Sequence, residues 1–461
     1  MKAKRLWVLM VLAILSLLTG LTEIAEAGGD PSGAATFTDD VAGLKLAVNF
    51  AWTLVTGFLV FFMQAGFAML GGLLRKKCMT NYLTKSYMDF SAGALTYWLF
   101  GFALMFGGSA LGSGLDKGNW FIGYSGWLLL GDAYDVVTME VWLFQMMFAA
   151  TAATIVAGLC AERLKFQAYL VYSFFVCGII YPIYGHWVWG GGWLATLPFG
   201  VGARDFAGSG VVHSIGGLVG LAGAIALGPR IGKFTADGKP VAIPGHNLTF
   251  VVLGTFILFF GWFGFNPGST LAATDLRISA IAVNTFLAGA LGAITIAYLT
   301  YGVTGKADLG LICNGALGGL VAITAPCAYV HPWGAVCIGI IAGFVMMYTN
   351  KLLEVVCKID DPVGAAGVHA ANGIWGILAV GIFADGSYGG VNGLITGSAW
   401  QLLAQIIDAI ATIAWALGLG FFIFYLLKAT IGIRVEPEIE LEGLDIHEHG
   451  TPCYPEDAIK V

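Results

Sequence analysis

Asp205-Phe-Ala-Gly-Ser-Gly-Val-Val-His213 runs on as Ser-Ile-Gly-Gly217-Leu-Val-Gly220, and Asp361-Pro-Val-Gly-Ala-Ala-Gly-Val-His369 runs on as Ala-Ala-Asn-Gly373-Ile-Trp-Gly376. Both stretches read Asp, seven residues, His, three residues, Gly, two residues, Gly. A pattern that recurs at such spacing marks an internal repeat. In membrane proteins such repeats are often inverted halves that meet at a midplane site.

The rest of the chain supplies the membrane. Of its 461 residues 58% are hydrophobic and only 11% charged, and the mean hydropathy is +0.83. That leaves too little polar surface to cover a soluble globule. The 67 glycines fit helices that pack by close backbone approach in lipid. A net charge of -6, with the basic residues scattered, excludes nucleic acid as a partner. The eight cysteines show no C-x-x-C or Cys/His ligand spacing, and those in apolar runs, such as Cys160, Cys177, Cys313 and Cys337, read as small packing residues.

Residues 1–27 combine a basic start (Lys2, Lys4, Arg5), an apolar stretch from Leu6 to Leu18 and the small-residue pattern Ala25-Glu26-Ala27. This reads as a cleaved signal peptide, with a retained first helix as the alternative. Apolar segments follow near 47–73, 90–110, 141–160, 167–188, 208–228, 247–266, 279–301, 309–325, 333–350, 366–383 and 400–427. Several have the roughly 20 residues needed to cross a ~30 Å hydrocarbon core. The expected fold is therefore an all-α membrane protein of eleven transmembrane helices: two inverted five-helix repeats around a central pore, plus a final helix. Residues 28–428 form this transmembrane domain and 429–461 a cytoplasmic regulatory tail.

Basic residues fall on alternate loops: Arg75, Lys76, Lys77 and Lys85, then Arg163 and Lys165, then Arg230, Lys233 and Lys239, then Lys306, then Lys351 and Lys358. The positive-inside rule puts these loops in the cytoplasm. The mature N-terminus is then outside, the tail inside, and the location a cell (inner) membrane.

This topology makes a sharp statement about the histidines. Eight steps at 1.5 Å carry each one roughly 12 Å in from its own face, and two such depths use most of a ~30 Å core. His213 and His369 should therefore meet near the midplane. Each aspartate sits where its helix begins, placed to cap free N–H groups. One membrane histidine alone reads equally well as a hydrogen-bonded packing residue, but two at matched depth favour a site. A neutral pair offers a donor and an acceptor to a small amine. Zinc needs three or four ligands, and neither helix adds a Cys, His or Glu, so no metal and no cofactor is expected. A proton pump would string carboxylates through its helices, whereas the spans hold only Glu140 and Asp408, both toward span ends.

At these residues the sequence resembles the Amt/Mep/Rh ammonium transporter family, its Amt branch in particular. Besides the first histidine motif, the resemblance rests on Phe144-Gln-Met-Met-Phe-Ala-Ala-Thr-Ala-Ala-Thr154, Ala161-Glu-Arg163, His186-Trp-Val-Trp-Gly-Gly-Gly192 and Gly261-Trp-Phe-Gly-Phe-Asn-Pro-Gly-Ser269. It runs from about Asn49 to Tyr454. The resemblance implies that Phe144, Trp189 and Ser269 form an outer recruitment site for ammonium, shaped electrostatically by Asp205. Holding a cation over aromatic faces is chemically sensible. It further implies that Phe144 and Phe265 are a stacked gate, that Trp262 lines the pore, and that His213 and His369 are the twin histidines. Two departures stand out: Gly364, where many members carry an acid, and Thr451-Pro-Cys453 in the tail, where the family usually reads Gly-Glu-x-Ala.

A bare cation at the bilayer centre costs several kcal/mol, so ammonium is expected to give up its proton near the gate and cross as ammonia. The alternative function is an ammonium sensor with little or no flux. An enzyme is not expected, for lack of metal ligands or an activated nucleophile. The resemblance also implies a homotrimer and a PII-type signalling protein at the cytoplasmic face.

Overall fold

A computed structural model describes residues 28–454, so the expected leader at 1–27 lies outside the described residues. The regular elements described are all helical. Each of the eleven apolar segments forms a helix: α1 Val41–Leu73, α2 Lys76–Phe106, α3 Val136–Leu159, α4 Phe166–Trp189, α5 Ser209–Leu227, α6 Leu248–Thr270, α7 Ile278–Thr304, α8 Leu309–Thr324, α9 Pro332–Val356, α10 Ala366–Phe383 and α11 Ala399–Thr430. Ten of them are long and apolar enough to cross a membrane. The other, α8, has 16 residues and reaches only about 24 Å. All its residues from Cys313 to Thr324 are buried, so protein rather than lipid surrounds it.

The second helix departs from the sequence reading. It starts at Lys76, not near residue 90, and carries Lys85 and Asp89 within it. Those charges interrupt the apolar run, which hid the helix's first half. Lys85 is buried because its ammonium has a partner, the Leu164 carbonyl oxygen at 2.6 Å.

The two histidine motifs fold alike. Three residues after each aspartate stands a glycine with positive φ, Gly208 at +113° and Gly364 at +74°, a conformation that costs an L side chain dearly. An acid in place of Gly364 would be strained in this backbone, and its Cβ would stand 2.9 Å from the amide nitrogens of Asn314 and Asn350. Each motif then passes through a wide π-helical turn, Ser209–Ser214 in one and Ala366–Ala371 in the other. Turns of this kind are rare and cluster at functional sites.

Four residues beyond each histidine, a glycine lets the two helices touch. A Cβ on Gly217 would lie 2.8 Å from the Ala370 Cα, and one on Gly373 would lie 2.9 Å from the Ser214 nitrogen. The helices run antiparallel. The start of α5 meets the end of α8, where Ala207 N donates to Thr324 O at 3.1 Å, and the segment leading into α10 meets the end of α5, where Arg230 N donates to Asp360 Oδ2 at 2.9 Å.

The loops rich in basic residues converge on one face, here the Asp360 face. Arg230 grips Asp360 through Nε (2.8 Å) and Nη2 (3.0 Å) and reaches Glu162 through Nη1 (3.1 Å). Arg75 Nε joins Glu162 at 2.5 Å. Burial alone would raise the Asp360 carboxyl, yet the Arg230 guanidinium holds it below its usual value. Arg163, expected as a loop cation, is fully buried and donates to the carbonyls of Gly228, Ala161 and Asp360. The tail packs on this face: Val435 N bonds Arg163 O at 3.1 Å, and Asp445 accepts from Asn81 N at 2.9 Å.

Removing one partner from a buried ion cluster leaves carboxylates uncompensated, at about 3–5 kcal/mol. Arg230→Met is therefore expected to lower the thermal unfolding midpoint in detergent markedly. An unchanged midpoint would remove this cluster from the forces holding the face together.

Candidate functional site

Asp205 begins the site. Its Oδ1 accepts from Gly208 N (2.7 Å) and Ser209 N (3.0 Å), and its Oδ2 from Gly210 N (2.8 Å) and Val211 N (3.0 Å). One carboxylate thus satisfies four helix-start N–H groups that a buried helix end would otherwise leave orphaned. Burial raises the Asp205 carboxyl above its ordinary value, and the four N–H groups oppose that shift. Asp361 caps its own helix in the same way, accepting from Gly364 N (3.0 Å) and Ala366 N (2.7 Å). Ser209 pins the start of α5 to α8, donating to Val321 O and accepting from Ala325 N, each at 2.7 Å.

Within the π turn the His213 N–H reaches back to Gly208 O at 3.1 Å. The imidazole ends 3.2 Å from its counterpart, His213 Nδ1 to His369 Nδ1. Both rings are buried, and His213 is stacked at 5.2 Å on Trp262 and 5.3 Å on Phe265. Trp262 is held by its own bond, Nε1 to Thr324 Oγ1 at 2.9 Å. His213 Nε2 has no partner among the described residues.

From Phe265 a row of rings leads toward the Asp205 face. Phe148 packs on Phe265 with centroids 4.1 Å apart, and Phe144 packs on Phe148 at 4.8 Å. The ring against Phe265 is thus Phe148 and not Phe144, a correction to the expected stacked pair. Four residues separate the two on α3, so they share a helix face, and the quoted motif contained both. Trp189 stands edge-on to Phe148 at 6.3 Å, its indole N–H given to Asp205 O at 2.6 Å. Ser269 donates its hydroxyl hydrogen to Phe265 O at 2.7 Å, which leaves its oxygen lone pairs free to accept.

Toward the Asp360 face, His369 borders a cavity of about 30 Å³ with Phe67, Tyr82, Thr154 and Asn314. Asn314 and Val363 also line a wider cavity of about 410 Å³ that includes Asp361 and Gly364. Sequence reasoning missed Phe67 and Thr154, whose residue types carry no signal of their own. It also missed a buried carboxylate: Asp89 is fully enclosed beside Thr154, which lines the smaller cavity. Asp408, placed toward a span end in the sequence, is fully buried against the Tyr184 hydroxyl at 2.5 Å.

The chain is similar to known proteins over most of its length. A profile of the Ammonium Transporter Family matches residues 51–454. The chain is similar to ammonium transporter Amt2 of Archaeoglobus fulgidus, at 53% identity over 95% of this chain and 94% of that one. It is also similar to a putative ammonium transporter of Synechocystis, at 43% identity over 90% and 91%. Among solved structures, a sensor Amt protein superposes with a TM-score of 0.82 at 37% identity, covering 89% of this chain and 100% of that one. Candida albicans Mep2 superposes at 0.76 with 27% identity over 90% and 92%.

Proposed function

Because this chain belongs to the ammonium transporter family, we propose that it conducts ammonium or ammonia across a membrane, along the row of rings that ends at His213 and His369. The observation that carries this reading is the 3.2 Å contact between the two imidazoles, reached from opposite ends of the bundle and roofed by Trp262 and Phe265.

Ammonium arrives at the Asp205 face. Phe144, Trp189 and Ser269 hold it there: the ring faces attract the cation, the Ser269 oxygen accepts one of its N–H bonds, and the Asp205 motif adds negative potential. Phe148 and Phe265 close the path below, and their contact excludes water and bulky cations. A cation entering this apolar stretch loses its hydration without a buried counter-charge in line, so it surrenders a proton and continues as ammonia.

The twin histidines suit a neutral passenger. In a neutral pair, Nδ1–H of one ring bonds the bare Nδ1 of the other. The first ring then presents an accepting Nε2 and the second a donating Nε2–H, and shifting the shared proton exchanges these roles. Ammonia, with a lone pair and three N–H bonds, can be handed along such a pair.

The Asp205 face is outside on this reading, and the ion-paired face with the tail is cytoplasmic. The protein assembles as a homotrimer in the inner membrane through exposed apolar surfaces such as Phe58 and Phe62 of α1 and Phe256 and Phe260 of α6. A PII-type protein docks on the cytoplasmic face. The second reading, an ammonium sensor, is kept because one well-matched solved structure bears that name. Uptake of labelled methylammonium by proteoliposomes separates the two, since a sensor binds without flux.

Two outcomes follow. Replacing His213 and His369 together with Ala is expected to abolish the ammonium-specific current in proteoliposomes, and an undiminished specific current would sink the proposed role of the pair. Phe148→Ala is expected to widen selectivity and admit water or larger amines, while Phe144→Ala chiefly raises the half-saturating concentration. The opposite assignment in flux assays would return the gate to Phe144.

A further inference from the structure

One buried carboxylate has no part in this pathway. Asp89 on α2 is fully enclosed, in a region where ionisable groups are costly and by default functional. Its Oδ1 accepts from Ser173 Oγ at 3.3 Å, and the Thr154 and Tyr169 hydroxyls stand beside the carboxyl. Both of those hydroxyls donate elsewhere, Thr154 to Gln64 Oε1 at 3.1 Å and Tyr169 to the Lys85 carbonyl. Asp89 Oδ2 is accordingly left without a donor among the described residues, while hydroxyl oxygens with free lone pairs lie next to it. That is the surrounding a carboxyl needs when Oδ2 carries a proton and donates it. If Thr154 turns its hydroxyl toward Asp89 instead, the same site suits the carboxylate.

Thr154 also lines the 30 Å³ cavity under His369, which has room for about one water. It therefore connects Asp89 to the twin-histidine chamber. One helical turn away on α2, Lys85 is buried and aims its ammonium at Leu164 O. It is the nearby positive charge, with Glu448 of the tail beyond it. The other titratable groups around Asp89 are Tyr82 of its own helix and Tyr169, Tyr172 and Cys177 of α4, while Cys160 at the end of α3 faces Lys85. The cluster thus holds one carboxyl able to take a proton from the chamber and one cation to stabilise it once the proton leaves.

We propose that Asp89 is a proton-holding group for the conduction pathway. It takes up, through Thr154, the proton that ammonium releases, while ammonia leaves past His369. The inference rests on the transport reading above. The chemistry involves only N–H and O–H bonds. At the Phe148–Phe265 gate ammonium gives its proton to the bare Nε2 of His213, the ring stacked on Phe265, and goes on as ammonia. The pair gives a proton to a water in the cavity, that water gives one to the Thr154 oxygen, and the Thr154 hydroxyl passes its own to Asp89. Reversal of the last steps returns the proton to the cavity water and on to the wider cavity at the Asp360 face, where ammonia is protonated again. Separating the proton from ammonia inside the chamber lets the charge cross without a cation standing between the histidines.

Asp89→Asn keeps the volume and the Ser173 contact but cannot hold a proton in this way, and Asp89→Glu can. Current and labelled methylammonium uptake are measured on the same proteoliposomes for wild type and both variants. The charge moved per methylammonium is expected to fall at least threefold in Asp89→Asn and to recover in Asp89→Glu, with the melting temperature of Asp89→Asn within a few degrees of wild type. An unchanged ratio in Asp89→Asn overturns the proposal, as does a parallel loss of current and uptake in both variants with a lowered melting temperature, which is packing alone. A wild type that takes up methylammonium without current overturns the proton-holding role and spares the transport reading. A wild type with neither uptake nor current overturns the transport reading and this inference with it.

Discussion

Two imidazoles can stand 3.2 Å apart in the middle of a helical bundle only if the backbones that carry them nearly touch. Gly217 and Gly373 make that possible, because any side chain at either position would overlap the opposite helix. Without a hydrophobic driving force between helices in lipid, such contact must come from van der Waals packing and backbone proximity. The crossing then dictates much else. Each helix must start inside the protein, so Asp205 and Asp361 supply the acceptors that water gives at an exposed end. Each helix must also turn its histidine toward the crossing point, which the wide turns at Ser209–Ser214 and Ala366–Ala371 accomplish.

The surroundings of the pair follow from the same constraint. A buried neutral imidazole keeps one orientation only when its ring is packed and its nitrogens are assigned. Trp262 and Phe265 provide the packing, and Thr324 fixes Trp262 in turn. On the Asp360 face, Arg163 and Arg230 gather loops from three parts of the chain and lock the far end of α5 against the approach to α10. That gives the Ala161-Glu-Arg163 motif a structural task well away from the pore.

Much of this was legible in the sequence, for physical reasons. Repeated spacing in an apolar chain fixes helix faces and depths, so the meeting of His213 with His369 could be stated from eight residues of rise, and the eleven apolar segments each became a helix. What failed involved side chains whose partners lie far away in sequence. Hydropathy started α2 after Asp89 because Lys85 and Asp89 look costly until Leu164 O and Ser173 are seen beside them. Arg163 looked like a loop cation until three carbonyls enclosed it. The family resemblance puts Phe144 on Phe265, although Phe148, one turn on, shares its face. The motif contained both, and only the packing of α3 against α6 decides between them.

The most direct test of this arrangement is an experimental density map of the wild-type protein, sharp enough to place both imidazoles. The expected result is two rings within hydrogen-bonding distance, near 3.2 Å between Nδ1 atoms, with a wide helical turn before each and Phe148 lying on Phe265. Rings held more than about 5 Å apart, beyond any hydrogen bond, or turned to separate partners, would contradict it and leave the twin histidines as two unrelated packing residues.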